Sequence, residues 1–258
     1  MEVVYEKEET DYGLDPNSIA AIDLGIDNLA TLTSNQPGFI PVLVSGRIIK
    51  SINRYYNQRK AQLQSLLPNH QKTSKRLQSL TKKRNFRVDD YLHKTSRLII
   101  NHLVKCGIGT LVIGQNSLWK QNGNLGSRNN QNFVCIPHTR FVHQLSYKAK
   151  LVGINVLVSE ESYTSVASFL DQDVIPTYGK VDSKEVKFSG RRIKTKLYRA
   201  GNGLLIHADV NGSLNILRKV VPTAFSLGIE EPLRWAGFPT CSKWRGVVVR
   251  PVGVIPDK

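Results

Sequence analysis

An α/β fold built on a mixed sheet is the class this 258-residue sequence predicts, and three observations carry it. Short, almost wholly apolar runs, such as Ile19-Ala-Ala-Ile22 and Thr110-Leu-Val-Ile-Gly114, have the pattern of strands buried on both faces. Longer segments with a 3.6-residue period separate the later runs. Acids stand where runs end or helices begin: Asp23, Glu160, Glu161 and Asp209. A buried acid is costly unless it is paired or binds a cation, so these positions ask for an explanation.

Taken in order, Met1 to Tyr5 alternates like the end of a strand, and Glu6 to Asn17 reads as a linker with Gly13 and Pro16. Ile19–Thr33 follows as two strands around Gly25, with Asp23 closing the first, and Phe39–Gly46 adds a third. Three strands joined by tight turns form an antiparallel meander. From Arg47 to Lys105 the pattern is helical. Ile52, Tyr55, Tyr56, Leu63, Leu66 and Leu67 share one period, and Tyr91, Leu92, Thr95, Leu98, Ile99 and Leu103 another, with a break at Pro68 and Asn69. Strand Thr110–Gly114, a helix marked by Phe141, Leu145, Ala149 and Val152, and strand Ile154–Val158 come next. Asn116 to Asn132, rich in Asn and Gly, is a candidate substrate loop at a strand end. Ser162 to Asn202 is polar and turn-rich. Gly203–Asp209 then leads into a helix from Val210 to Arg218, and no structure is forced on the tail from Pro222, with its Trp235 and Trp244.

Charge narrows the function. The net charge is +16, with a pI near 9.9. Residues 47–105 hold fifteen Lys and Arg against two acids, +13 of the total. A solvated helical face mixes signs, so this segment points to phosphate-backbone contact. Its main candidates are Arg54, Arg59, Lys60, Lys75, Arg76, Lys82, Lys83, Arg84 and Arg87, joined by Lys120, Arg191 and Arg192 further on. No run has the length of a membrane span and Met1–Glu9 is no signal peptide; three scattered cysteines form no CxxC. A reduced, cytoplasmic protein with no membrane partner is expected.

Three antiparallel strands, then helix, strand, helix, strand, with acids at their ends, is the order of an RNase H-like fold. In such a fold, carboxylates from separate elements converge on divalent cations for phosphodiester cleavage, and hard oxygen ligands suit Mg²⁺ or Mn²⁺.

Three segments are more specific. Ala21-Ile-Asp-Leu-Gly-Ile-Asp-Asn-Leu-Ala30, Tyr163-Thr-Ser165 and Ala208-Asp-Val-Asn-Gly-Ser-Leu-Asn-Ile216 resemble the TnpB (OrfB) family of transposon-encoded, RNA-guided DNA nucleases. These are often called transposases and are relatives of the type V CRISPR effectors. The resemblance runs from about Ala20 to Lys219 and covers the RuvC-like half of that family. It implies residues 1–18 as the remnant strand and linker of a missing N-terminal domain. It further implies a nuclease core at 19–161 with the basic insertion 47–105, and a zinc-ribbon-like insert at 162–203. The last RuvC segment would lie at 204–221 and a tail at 222–258.

By the same resemblance Asp23 matches the first RuvC aspartate and Asp209 the last. The chain departs from the family at two places. Gly114 stands where the usual glutamate belongs, and Gln115 beside it carries no charge. Either the site is inactive, or Glu160 or Glu161 supplies the carboxylate from the next strand, ~4.8 Å away. Only one of the pair should face the site, and Glu161 is preferred. Ser168, Asp171, Arg199 and Asn202 occupy the four usual cysteine positions, so no structural zinc is expected, and a metal-free hairpin with Phe169 and Tyr198 in a small core is. Asp27 reads as a turn acid, His207 as a packing histidine, and Asn211 as a residue that orders the site or caps the helix. The functions implied are a metal-dependent endonuclease acting on DNA with a guide RNA from the transposon end, an inactive DNA- or RNA-binding derivative, or a truncated remnant.

Overall fold

Apolar runs that must bury both faces need cover on both sides, and the chain supplies it with helices. The computed structural model describes residues 8–115, 135–177, 179 and 186–225, and the backbone of 247–249. Its strands are β1 (Asp15–Leu24), β2 (Asn28–Ser34), β3 (Val42–Ser45), β4 (Ile108–Gly114), β5 (Asn155–Ser159), β6 (Arg191–Lys194), β7 (Leu197–Arg199), β8 (Leu205–His207) and β9 (Val247–Val249). The helices are α1 (Arg47–Ser65), α2 (Lys75–Lys105), α3 (His138–Lys150) and α4 (Ala208–Val220), followed by a 3₁₀ turn at Pro222–Phe225.

One mixed sheet has the order β5-β4-β1-β2-β3-β9. The β1/β2 and β2/β3 pairs are antiparallel, as the meander requires, and β4 and β5 add in parallel beside β1. Strand β1 begins at Asp15, within the stretch read as linker, because Asp15 pairs with Ile108 and Thr110 Oγ1 donates to Pro16 O at 2.8 Å. Strand β9 lies in the tail and pairs with β3. The Met1–Tyr5 strand, the whole Asn/Gly-rich loop with Lys120, and Trp235 and Trp244 lie outside the described residues.

Alternation along the strands decides what each face meets. Ala20, Ile22 and Leu24 of β1 and Leu111 and Ile113 of β4 join the larger core, with Leu92, Ile99, Leu103, Phe141 and Leu145 from α2 and α3. Ile19, Ala21 and Val112 point the other way and pack on Ile216 and Leu217 of α4. Helix α4 is buried along almost its whole length because a second, smaller layer covers its far side. There Phe169, Tyr198 and Ile206 pack with Ala208, Val210 and Leu214.

That layer is a three-stranded antiparallel sheet β6-β7-β8, drawn from the polar stretch 162–203 and from Leu205–His207 beyond it. Ser168, Asp171 and Asn202, three of the four positions singled out there, take part in a hydrogen-bond clasp. Asp171 Oδ2 accepts from Ser168 Oγ at 2.5 Å and Gly201 N at 2.6 Å, and Oδ1 accepts from Asn202 N at 3.3 Å. One carboxylate thus ties the two turns together. Asp171→Ala should lower stability by about 2 kcal/mol, since several charge-assisted hydrogen bonds go at once, with Asp171→Asn losing less; thermal melting of the two variants checks this.

Helix α1 forms where the period places it, yet little of its apolar face is covered. Only Ile49 and Asn53 are buried, while Tyr55 is 53 % and Leu66 79 % exposed. Beyond Asn53 this helix leaves the sheet and pairs with the first half of α2, forming a hairpin arm.

Lys148 of α3 is buried, its Nζ donating to His93 O at 2.8 Å and Ser96 Oγ at 2.6 Å. Burial, with Arg97 nearby, brings its ammonium down to about 8. Burial and Lys148 hold His93 below its ordinary value. Between about pH 8 and the model-peptide value near 10.4, the unfolded chain binds the extra proton, so this group makes stability rise with pH across that window. The full effect is on the order of 3 kcal/mol. Melting of wild type and Lys148→Met from pH 7 to 10 should show the wild type gaining relative to the variant as pH rises.

Candidate metal centre

The strand register brings two of the singled-out positions side by side. Ile22 pairs with Ile113, so the next step along the ladder carries Asp23 and Gly114 together. By alternation both face α4. Asp209 sits in the first turn of α4, and Glu161 follows the end of β5, whose Ser159 pairs with Gly114. Three carboxylates from three elements therefore meet at one end of the sheet.

Gly114 shows how Glu161 gets there. A Cβ on Gly114 would lie 2.5 Å from Ile216 Cδ1 and 3.0 Å from Glu161 Oε2. The carboxylate of Glu161 therefore fills part of the space that a side chain at 114 would need. Gly212 makes a matching allowance, since a Cβ there would lie 2.8 Å from Asp23 Oδ2. Burial and the neighbouring Glu161 and Asp209 carboxylates push the Asp23 carboxyl well above the usual range, with Arg192 opposing them.

Asp209 has company of its own. Its Oδ2 accepts from Asn28 Nδ2 at 2.8 Å, and Oδ1 lies 3.7 Å from Arg192 of β6. Its backbone N–H donates to His207 Nδ1 at 3.3 Å, capping the helix start. Burial lowers the His207 imidazole below its ordinary value, in keeping with that acceptor role. Among the described residues no group of three or more His, Cys, Asp or Glu side chains is arranged to hold a metal ion as it stands.

Glu160 points elsewhere. Its Oε2 pairs with Lys219 Nζ and its Oε1 accepts from Ser162 N, both at 2.6 Å. The Tyr163-Thr-Ser165 turn holds its neighbour Glu161 in place. Tyr163 adopts a left-handed φ of 66°, and Thr164 Oγ1 donates to Glu161 O at 2.7 Å. Helix α4 grips the same stretch. Asn215 Nδ2 donates to Thr164 O at 2.9 Å, and Asn211 joins Ala167 O at 2.8 Å to Phe169 N at 3.0 Å. The two motifs thus fasten the segment after Glu161 to the helix that carries Asp209. Asp27 is away from the cluster, ion-paired to Lys50 at 2.6 Å.

Sequence comparisons place the chain among known proteins. A family profile described as probable transposase, OrfB_IS605, matches residues 2–120, and one described as Cas12f1-like, TNB domain, matches residues 138–216. The TnpB-like protein ORF457 of Acidianus two-tailed virus is 25 % identical over 229 residues, covering 84 % of this chain and 45 % of that protein. The chain is a TnpB-type protein, related to the type V effectors. Its fold is similar to that of Cas12f1 in a cryo-EM Cas12f1–sgRNA–target DNA complex, with a TM-score of 0.55 at 17 % identity over 78 % of this chain and 50 % of that one. A cryo-EM CRISPR–Cas12f ternary complex gives 0.57 at 17 % identity over 83 % and 40 %. The chain spans half or less of the length of these relatives.

In this TnpB-type chain the basic candidates fall in two places. Arg54, Arg59, Lys60, Lys75, Arg76, Lys82, Lys83, Arg84 and Arg87 lie on the α1–α2 hairpin, and Arg191 and Arg192 on β6. Arg84 is partly committed to structure, its Nη2 donating to Cys135 O at 2.7 Å and its Nε to Asn53 Oδ1 at 2.8 Å. Sequence reasoning missed Asn28 and Gly212. Asn28 is a polar residue at the head of an apolar strand, which is a faint signal. Gly212 is a glycine inside an otherwise good helix, which is a stronger one.

Proposed function

We propose that this chain carries the cutting centre of a transposon-associated, RNA-guided DNA endonuclease, with Asp23, Glu161 and Asp209 as its metal-binding carboxylates. The observation that carries the reading is the placement of Glu161 Oε2 over Gly114. A glutamate from the neighbouring strand takes up the room left by the missing one. In this reading the sheet and α4 form an RNase H-like (RuvC) core, and the three-stranded insert is a zinc-ribbon-like layer clasped by Asp171.

The donor set fits Mg²⁺ or Mn²⁺: three hard-oxygen carboxylates, one of which, Asp23, is driven upward by burial and then by the other two. Bound divalent ions would supply charge for the phosphate oxygens and activation of the attacking water. The protein's own residues do the rest. Gly212 leaves room for the Asp23 carboxyl, and Asn28 fixes the rotamer of Asp209. Thr164 and Asn215 hold the backbone behind Glu161. Arg192, 3.7 Å from Asp209, offsets its charge and would pair with a phosphate entering the site. The hairpin cations would hold backbones while base pairing reads the sequence.

The inactive-binder reading draws on one observation, the commitment of both Asp209 oxygens to Asn28 and Arg192. An assay with the RNA of the adjacent transposon end, matched DNA and Mg²⁺ separates the two. Cleavage that Asp23→Ala and Asp209→Ala abolish supports the nuclease; salt-sensitive binding by all three proteins with no cleavage supports the binder.

A further inference from the structure

The two helices of the basic arm enclose a groove of about 280 Å³. Leu63 of α1 and Leu80 of α2, both partly buried, line it together with Tyr55. Arg59, Arg76 and Lys83 add cations to the same lining. The neighbouring Tyr56 is already engaged. Its hydroxyl meets Thr81 Oγ1 at 3.1 Å, and the Arg84 guanidinium and Lys60 ammonium lie 5.9 and 6.0 Å from its ring centre. Tyr55, by contrast, is 53 % exposed beside the opening. No acid occurs from Arg47 to Val88, so nothing in the arm offsets its charge.

A surface that only holds duplex phosphates needs cations and no concavity. Apolar and aromatic side chains in the lining add something a duplex cannot use, because its base faces are stacked away. Unpaired bases present that face, and stacking on an aromatic side chain is how single strands are held without sequence preference. The volume is at the small end of ligand sites, suited to one or two bases and not to a duplex edge.

We infer that this groove binds a single-stranded segment of nucleic acid, one base lying against Tyr55 over Leu63 and Leu80, with adjoining phosphates on Arg59, Arg76 and Lys83. This rests on the reading of the arm as a nucleic-acid-holding element but not on catalysis. The test is therefore run on the full chain in EDTA, where no cutting occurs. Fluorescence anisotropy measures binding of a single-stranded DNA 15-mer, the same strand with abasic sites, and its duplex, at two salt concentrations. Tyr55→Ala should weaken single-strand binding roughly five- to hundredfold and leave the duplex and abasic strands within twofold, while Tyr55→Phe stays near wild type. A 2-aminopurine in the strand should lose its quenching in Tyr55→Ala. Tyr55 is half exposed, and melting within a few degrees of wild type confirms that the variant folds. Equal losses on all three nucleic acids, or no loss on any, would overturn the groove as a base site. Either outcome leaves the carboxylate centre to its own test.

Discussion

Glu161→Gln should reduce divalent-metal-dependent cleavage by a thousandfold or more, whereas Glu160→Gln should stay within a fewfold of wild type. Two adjacent glutamates close β5, and only their surroundings tell them apart. The carboxylate of Glu161 lies over Gly114 and raises Asp23, while that of Glu160 is bound by Lys219 and the Ser162 amide. A metal's stabilisation of transition-state charge is worth several kcal/mol, which converts to ~10³ in rate or more. Glutamine keeps the volume but removes the anion. The two variants should also part in stability. Glu161→Gln relieves repulsion among three crowded carboxylates, so its melting temperature should equal or exceed wild type. Glu160→Gln gives up a partly exposed ion pair, a loss of about 1 kcal/mol. Cleavage rates measured beside melting curves check both halves.

Gly212→Ala should move activity and stability in opposite directions. Inside a helix, glycine is less favourable than alanine by about 1 kcal/mol, so on propensity alone the substitution stabilises α4. A Cβ at 212, however, would lie 2.8 Å from Asp23 Oδ2, closer than a methyl group can stand. The carboxyl must swing away, since the helix is held to the sheet by Ser213 Oγ, 3.0 Å from Ala21 O and 2.9 Å from Thr33 Oγ1. A ligand displaced by even 1 Å can lose a hundredfold in rate. The expected result is cleavage down by ~10²-fold with a melting temperature no lower than wild type. A drop in both would mean that Gly212 serves packing and not the site.

These two positions also show what the sequence could convey. The mixed sheet was legible because strands buried on both faces leave unbroken apolar runs, and acids at a strand end and a helix start made Asp23 and Asp209 candidates. Alternation said only that one of Glu160 and Glu161 should face the site; what engages Glu160 is Lys219, 59 residues on, a contact no local pattern encodes. Asn28 was silent for the same reason, reaching Asp209 across 181 residues. Helix α1 was legible from its period, but what its apolar face meets was not, since apolar residues at helical spacing normally mark a core face. Here several of them border a solvent-open basic groove instead. Strand β9 gave no signal, since Val247-Val-Val249 gains its place only by pairing with β3.

The measurement closest to the central claim is Mn²⁺ binding, by electron paramagnetic resonance, to wild type, Glu161→Ala and Glu160→Ala without any nucleic acid. It asks whether a carboxylate from the next strand completes the centre, independently of a guide or target. Saturable binding by wild type and Glu160→Ala that weakens at least tenfold in Glu161→Ala is the predicted result. Equal affinity in all three proteins, or no saturable binding in any, would contradict it.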